Sequence, residues 1–388
     1  MTRVLAVSSA RDVMGTEHSL LNVTPRLSSR GLEMMLAAER SGSFESRWRD
    51  MGLTFYDLDL PRRQGFRPNT GRGFNSVAEL ARLPIRTVRA IIGIVTLVRR
   101  SRAEVIHSNC LITHFDCAVA GRVTGATPVL ELHDIVAPGI GRLFMGVAVR
   151  IAGRAIAISS AVRDQLPRWA REKVVVVPQS VDVERFGAAA APGDWRTRLA
   201  AAPEVPLIAA VGRLDPEKGL HVLVEAVAEL RASGVEAQLA LVGSPSKDGG
   251  GYLAELRTLG DRLLGDALRI VPQVDDVPAV LQAVDILACP SFEEPFGLIL
   301  LEAQACGVPV VASASGGPLE FITHDRTGLL VAPGDPGALA GALSRLLRDG
   351  QLRARIARAG QDRVRRAYTA DIRADRIAEV YRGGGGWG

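Results

Sequence analysis

The sequence predicts an α/β protein built of two doubly wound, Rossmann-like domains facing each other across a cleft. Three observations lead there. The chain has 388 residues, too many for one ordinary core and suited to two domains. Short β-branched or apolar runs alternate with longer helical stretches through both halves, the pattern of parallel sheets covered on both faces. Between the halves, Gly187–Asp194 and then Ala200–Pro206 are small, alanine-rich and proline-marked, as linkers are.

In the first half, strands are predicted at Val4–Val7, Glu33–Ala37, Thr54–Asp57, Val105–Ile106, Val129–Leu132, Ala155–Ile158 and Val174–Val177. Helices are predicted across His18–Ser29, Ile85–Arg100, Phe115–Val123 and Val162–Trp169. The second half repeats the alternation with strands at Leu207–Val211, Leu239–Val242, Leu268–Val271, Asp285–Ala288 and Val308–Ala312. The expected division is 1–188 for the first Rossmann-like domain, 189–368 for the second, and 369–388 for a last helix, Asp371–Tyr381, with a frayed glycine-rich tail.

Apolar residues make up 47% of the chain and charged ones 23%, which describes a globular protein rather than a disordered one. Cys110, Cys117, Cys289 and Cys306 form no CxxC pair and no metal-ligand spacing, so a reducing cytoplasm is the simplest setting. The opening run Met-Thr-Arg-Val-Leu-Ala-Val enters a strand at once and does not read as a signal peptide. No apolar run reaches the length of a membrane span, which leaves peripheral attachment at the inner face of the membrane open. From Pro61 to Arg102 there are ten arginines and one acid, Glu79. That stretch reads either as a solvated face or as a surface for an anionic acceptor or membrane. Nucleic acid is not expected, since no aromatic platform accompanies the charge.

The most informative stretch is Ser291-Phe-Glu-Glu-Pro-Phe-Gly-Leu-Ile-Leu-Leu-Glu302, where a buried strand feeds a helix start. The amides of Phe296, Gly297 and Leu298 lie where unpaired N–H groups and the helix dipole favour an anion such as a diphosphate. Glu294 and Glu302 stand eight positions apart beside it, one in the loop and one in the helix. The same residues also describe an ordinary helix with acids near its start. What separates the two readings is that the stretch closely resembles the signature of glycosyltransferase family 4, retaining enzymes of the GT-B fold. The resemblance implies that the first domain binds the acceptor and the second the nucleotide-sugar donor, that the last helix crosses back onto the first domain, and that Glu294 contacts the hydroxyls of the donor sugar and Glu302 the ribose of its nucleotide.

A second element, Gly212-Arg-Leu-Asp-Pro-Glu-Lys-Gly219, follows the first strand of the second half. Arginine offers a planar fork to phosphate oxygens, lysine a compact charge, and a strand-end glycine lets a diphosphate approach the backbone. Lysine is rare here, confined to Lys173, Lys218 and Lys247. The element resembles the family's Gly-Arg, four residues, Lys-Gly, which implies that Arg213 and Lys218 bind the donor diphosphate. Fixed cations at the point where negative charge grows on a leaving nucleotide stabilise the transition state, so no metal is required. Asp57-Leu-Asp59 has a metal-binding pattern but reads as a strand-end turn.

Smaller matches complete the donor set: Gly243 in Leu241-Val-Gly-Ser244, Val274 as a backbone contact to the base in Pro272–Asp276, and the double glycine of Ser315–Pro318. In the first half, His133-Asp134 ends a strand, and the resemblance implies that His133 touches the donor sugar near the reacting carbon. Met14-Gly15-Thr-Glu-His18 keeps only Gly15 of the family's two glycines, so that loop either holds ordinary dihedrals or approaches the diphosphate less closely. Ser159 or Ser160 is either the family's strand-end serine or a helix cap. Gln179-Ser180 departs from the family's Asn-Gly.

The expected activity is a metal-independent, anomer-retaining transfer of a sugar from a nucleoside diphosphate donor, a UDP-sugar by expectation, to a hydroxyl acceptor. The donor is a co-substrate, and no other cofactor is expected. The alternative is a non-catalytic nucleotide-sugar-binding subunit of the same fold; a dinucleotide oxidoreductase is disfavoured because GxGxxG is absent.

Overall fold

The computed structural model describes residues 1–60, 77–188, 194–200, 202, 204–245 and 250–384. Much of the expected linker, residues 61–76 of the arginine-rich stretch and most of the glycine-rich tail lie outside the described residues.

The chain forms two compact units, Met1–Ser180 with Ala370–Gly388, and Val181–Thr369. The division thus falls a few residues before the 188/189 point read from the linker. Val181 already bridges to Thr369, which closes the second unit on itself.

In the first unit, β1 (Thr2–Val7), β2 (Leu32–Ala38), β3 (Thr54–Asp57), β4 (Val105–Ser108), β5 (Thr127–Leu132), β6 (Ala155–Ala157) and β7 (Val174–Val176) form one parallel sheet in the order β3-β2-β1-β4-β5-β6-β7. The near-continuous apolar character of β1 and β2 follows from coverage on both faces. Val4, Ala6, Leu36, Val105, Val129 and Ile156 pack with Leu20, Val23 and Leu27 of the helix Gly15–Ser29 and with Ile377 and Tyr381 of the helix Ala370–Arg382. Each such buried aliphatic side chain contributes about 1.5–3 kcal/mol. The last helix is also tied to the first by Arg30, 2.6 Å from Asp375. Helix Val162–Trp169 of the sequence reading is instead two short helices, Ser160–Asp164 and Arg168–Arg171. Pro167, which has no N–H to continue the ladder, starts the second.

In the second unit, β8 (Leu207–Val211), β9 (Gln238–Val242), β10 (Leu268–Val271), β11 (Ile286–Cys289), β12 (Val310–Ser313) and β13 (Leu329–Val331) form a parallel sheet in the order β10-β9-β8-β11-β12-β13. The sequence reading has five of these. Strand β13 escapes it because three residues between Gly328 and Ala332 carry no periodicity. Its core joins Ile208, Leu239, Leu241, Ile286 and Val311 to Leu223, Val227, Leu343 and Leu346 from the covering helices.

Both sheets therefore have a point where neighbouring strands lead into connections running opposite ways: β1 beside β4, and β8 beside β11. Open α/β sheets bind ligands beyond the strand carboxyl ends at such points. Among the described residues no helix is long and apolar enough to cross a membrane.

Candidate functional site

The loops leaving β8 and β11 meet at the switch point of the second sheet. Phe292 N–H donates to Glu217 O at 3.0 Å, joining the two loops. Their approach depends on Gly219, which has φ +61° and lies so close to β11's loop that a Cβ would stand 2.3 Å from Pro290 O. A side chain there meets both a backbone clash and the left-handed penalty. This is the local reason for a glycine after Lys218.

Across that junction Lys218 Nζ lies 2.7 Å from Glu294 Oε2. The same oxygen accepts from Ser291 Oγ at 2.9 Å and faces Cys289 Sγ at 3.7 Å. No described residue makes a hydrogen bond to Oε1. Burial pushes the Glu294 carboxyl up, but Lys218 with Ser291 and Cys289 outweighs it and leaves the group below its ordinary value. Burial likewise works against the Lys218 ammonium, and Glu294 more than restores it. Both groups are held charged. One carboxylate oxygen is anchored and the other is open to a ligand hydroxyl.

Arg213 Nη1 lies 3.0 Å from Asp215 Oδ2, while Asp215 Oδ1 caps the short turn Pro216–Lys218 by accepting from Glu217 N–H at 3.2 Å. The guanidinium is thus steered by the residue that also sets the position of Lys218. Gly212 and Gly243 end β8 and β9 back to back, since a Cβ on Gly243 would stand 1.7 Å from Gly212 O. Beyond β10, Val274 is half-buried and follows Gln273, whose Oε1 accepts from Ser244 Oγ at 2.7 Å.

The helix Leu298–Ala305 begins directly after Gly297. The amides of Phe296, Gly297 and Leu298 make no hydrogen bond with a described residue, so this end keeps its capacity for an anion. Phe296 stacks on Phe321, ring centroids 5.2 Å apart, which fixes the approach to the helix. Gly317 N–H donates to Glu294 O at 2.8 Å, so the double-glycine loop after β12 braces the same segment. Glu302 sits one turn into the helix, buried, and burial pushes its carboxyl up to about 8 against a weaker pull from Arg185. The structure brings Lys218 and Glu294 together and puts the amides next to them in the chain; it gives Glu302 no contact with either.

In the first unit, Met14 has φ −117°, so its loop keeps ordinary dihedrals, and Met14 N–H donates to Glu17 Oε2 at 3.2 Å. Gly15 opens the helix, where a Cβ would meet nothing within 4 Å, so the position does not demand glycine. Ser159 Oγ accepts from Val162 N–H at 3.1 Å, which makes it the cap of its helix. Asp57 ends edge strand β3 and pairs with Arg40 at 3.1 Å, in keeping with a strand-end turn.

His133 follows β5 with a ring that is 9% exposed. Burial pushes its pKa down to about 4, against the pull of Glu131, so the imidazole is neutral near pH 7. Around it stands a group of residues of which sequence reasoning singled out only Gln179. Glu131 binds Arg373 of the last helix, and its Oε2 lies 3.0 Å from His107 Nε2. Gln179 accepts from both Ser19 and Arg373. Burial pushes the Glu131 carboxyl up, yet Arg373 and the imidazoles outweigh it and hold it well below the usual carboxylate range. A glutamate inside the apolar strand Pro128-Val-Leu-Glu-Leu132 was the available signal: a buried charge needs a partner.

A family model described as Glycosyl transferases group 1 matches residues 193–363, and one described as Glycosyltransferase Family 4 matches residues 13–185. The D-inositol 3-phosphate glycosyltransferase of Salinispora arenicola is 39% identical over 223 residues, 54% of this chain and 49% of that protein. The enzyme of the same name from Corynebacterium jeikeium is 41% identical over 185 residues, 46% of this chain and 44% of that protein. The chain thus spans about half the length of these curated relatives. The crystal structure of Anabaena HepE in complex with UDP-glucose shares the fold, with a TM-score of 0.83 over 99% of this chain and 100% of that one at 22% identity.

Proposed function

The chain belongs to glycosyltransferase family 4, and from that premise we propose that it is a retaining transferase moving a sugar from a UDP-sugar to a hydroxyl of a small-molecule, lipid or polysaccharide acceptor. The observation that carries this reading is Glu294, anchored through Oε2 by Lys218 with Oε1 open, next to the unpaired amides of Phe296, Gly297 and Leu298.

In this reading the diphosphate sits on those amides, with Arg213 and Lys218 as its cations. Glu294 Oε1 accepts from the sugar hydroxyls and Glu302 from the ribose. Gly212 and Gly243 leave room for the phosphates, and Val274 contacts the base through its backbone. When the glycosyl–phosphate bond breaks, charge grows where cations and N–H groups already point, and removing one such donor typically costs about 2.7–4 kcal/mol. The departing phosphate takes the acceptor's proton during same-face substitution, which leaves no step for a metal. His133, neutral and buried, is read as a contact near the reacting carbon rather than as a proton base. The UDP assignment draws on HepE, solved with UDP-glucose.

A thermal-shift panel of UDP-, GDP- and ADP-sugars on the full chain, followed by product analysis with candidate acceptors in EDTA, tests this. D-inositol 3-phosphate heads the acceptors because the relatives carry its name. A UDP-sugar should raise the melting point most, and the product should keep the donor's anomeric configuration. No stabilisation by any nucleotide sugar, an inverted product or loss of activity in EDTA overturns the reading. Stabilisation without turnover points to the non-catalytic binding subunit.

A further inference from the structure

We propose that Gln179 is a positioning residue that holds the His133 imidazole in its Nε2–H tautomer and in one orientation; the proposal rests on the part given to His133 in the reading above.

Gln179 is 4% exposed and reaches three elements of the first unit: Ser19 in the helix after β1, Arg373 in the last helix, and His133 after β5. Its amide orientation follows from chemistry. A guanidinium has donors only, so the Gln179 atom turned to Arg373 is the carbonyl oxygen, and that oxygen also accepts from the Ser19 hydroxyl. The amide nitrogen is then the atom 3.2 Å from His133 Nδ1. An amide N–H only donates, so Nδ1 accepts and carries no proton. A neutral ring keeps its proton on Nε2, which lies 3.4 Å from Glu131 Oε1.

His107 faces the same carboxylate: its Nε2 is 3.0 Å from Glu131 Oε2, and its Nδ1 is 2.9 Å from the Tyr381 hydroxyl, which can either donate or accept. For His133 the partner at Nδ1 is the Gln179 amide nitrogen, which can only donate, at the position where this chain departs from the family's Asn-Gly turn. Asparagine is one methylene shorter, so from the same backbone position its amide reaches less far toward these partners. Other charged or titratable groups facing the ring are Asp134 beside it, His114 from the helix after β4, and Arg373 itself.

Full-length protein labelled with 15N-histidine carries six histidines, and a His133→Asn spectrum assigns the ring. Long-range 15N–1H correlations on the unliganded wild type should show His133 with an unprotonated Nδ1 and a protonated Nε2 from pH 6 to 9. In Gln179→Glu, a carboxylate facing Nδ1 should move the proton there or make the ring titrate within that range, and kcat should become pH-dependent in step. In Gln179→Leu the tautomers should mix, with kcat for sugar transfer falling about 10–100-fold and KM for the donor little changed. A wild-type ring protonated at Nδ1, or an unchanged Nε2–H ring in a folded Gln179→Leu, overturns the proposal. The wild-type spectrum decides even where a variant fails to fold. The tautomer is read without turnover, so its confirmation alongside absent sugar transfer would reject the functional reading and leave the positioning claim standing.

Discussion

Glu131 and Glu294 are both buried carboxylates beside strand ends of parallel sheets, and they are surrounded in different ways. Glu131 takes Arg373 on Oε1 and has His133 Nε2 3.4 Å from Oε1 and His107 Nε2 3.0 Å from Oε2, ion-pair distances without hydrogen-bonding geometry. Glu294 gathers Lys218, Ser291 and Cys289 on Oε2 alone. A carboxylate with buried groups at both oxygens holds structure together, whereas one with an open oxygen keeps a lone-pair edge for something else. The contrast separates a buried network in the first unit from a candidate binding site in the second.

The largest effect should come from breaking the buried pair of Arg373 and Glu131. Arg373→Met leaves Glu131 buried without its cation and should cost about 3–5 kcal/mol of stability; denaturant unfolding measures this, while nucleotide affinity of the folded fraction stays unchanged. Lys218→Ala should instead lower donor-dependent turnover by about 10²–10³ in steady-state kinetics. If Lys218→Ala unfolds the protein like Arg373→Met yet spares UDP binding, Glu294 is a structural acid and the contrast fails.

Glu302 sharpens the comparison through pH. Its folded pKa is raised to about 8 from an ordinary 4.5, so the unfolded chain releases this proton first as pH rises. Stability from this group is intact below about 4.5 and is lost as pH climbs toward 8, by an amount on the order of a few kcal/mol. Glu302→Gln should therefore raise the melting point at pH 8 and hardly at pH 5, while weakening UDP binding in calorimetry. A Gln variant with the same slope of melting point against pH would show that Glu302 is not the group responsible.

Gly219→Ala tests the loop junction that carries Lys218 to Glu294. The left-handed conformation alone should cost about 1–2 kcal/mol, and the clash with Pro290 O should shift the pair and raise KM for the donor. The smallest effect concerns the arginine-rich helix Val77–Ser101. Charge reversal at Arg86 and Arg89 should weaken sedimentation with anionic liposomes, or acceptor affinity, by about 1 kcal/mol per residue and leave donor binding untouched. Unchanged liposome and acceptor binding would return that face to ordinary solvation.

The candidate-site residues of the second unit were legible because each is local. Arg213, Lys218, Glu294 and Glu302 lie within short motifs whose spacing a strand–loop–helix unit preserves, so chain order nearly dictates their setting. Ser291 and Cys289 fall inside the same motif yet drew no attention, since a serine and a cysteine at a strand end are common and only their convergence on Oε2 gives them a role. The first unit was less readable. Nothing in the strand around Glu131 indicates that its partner is Arg373, 242 positions later.

Alternating apolar and helical runs by themselves determined two parallel sheets, and the motifs after β8 and β11 determined which strand ends hold the charged groups, because hydrophobic periodicity and turn chemistry act over a few residues. The family resemblance already implied that the last helix returns to the first unit, as it does; tertiary structure alone decided that Glu131, Gln179 and Arg373 share one buried cluster, and that Glu294 keeps one oxygen free. Those outcomes depend on side chains brought together by folding, and desolvated polar groups take whatever partner the packed interior places within reach.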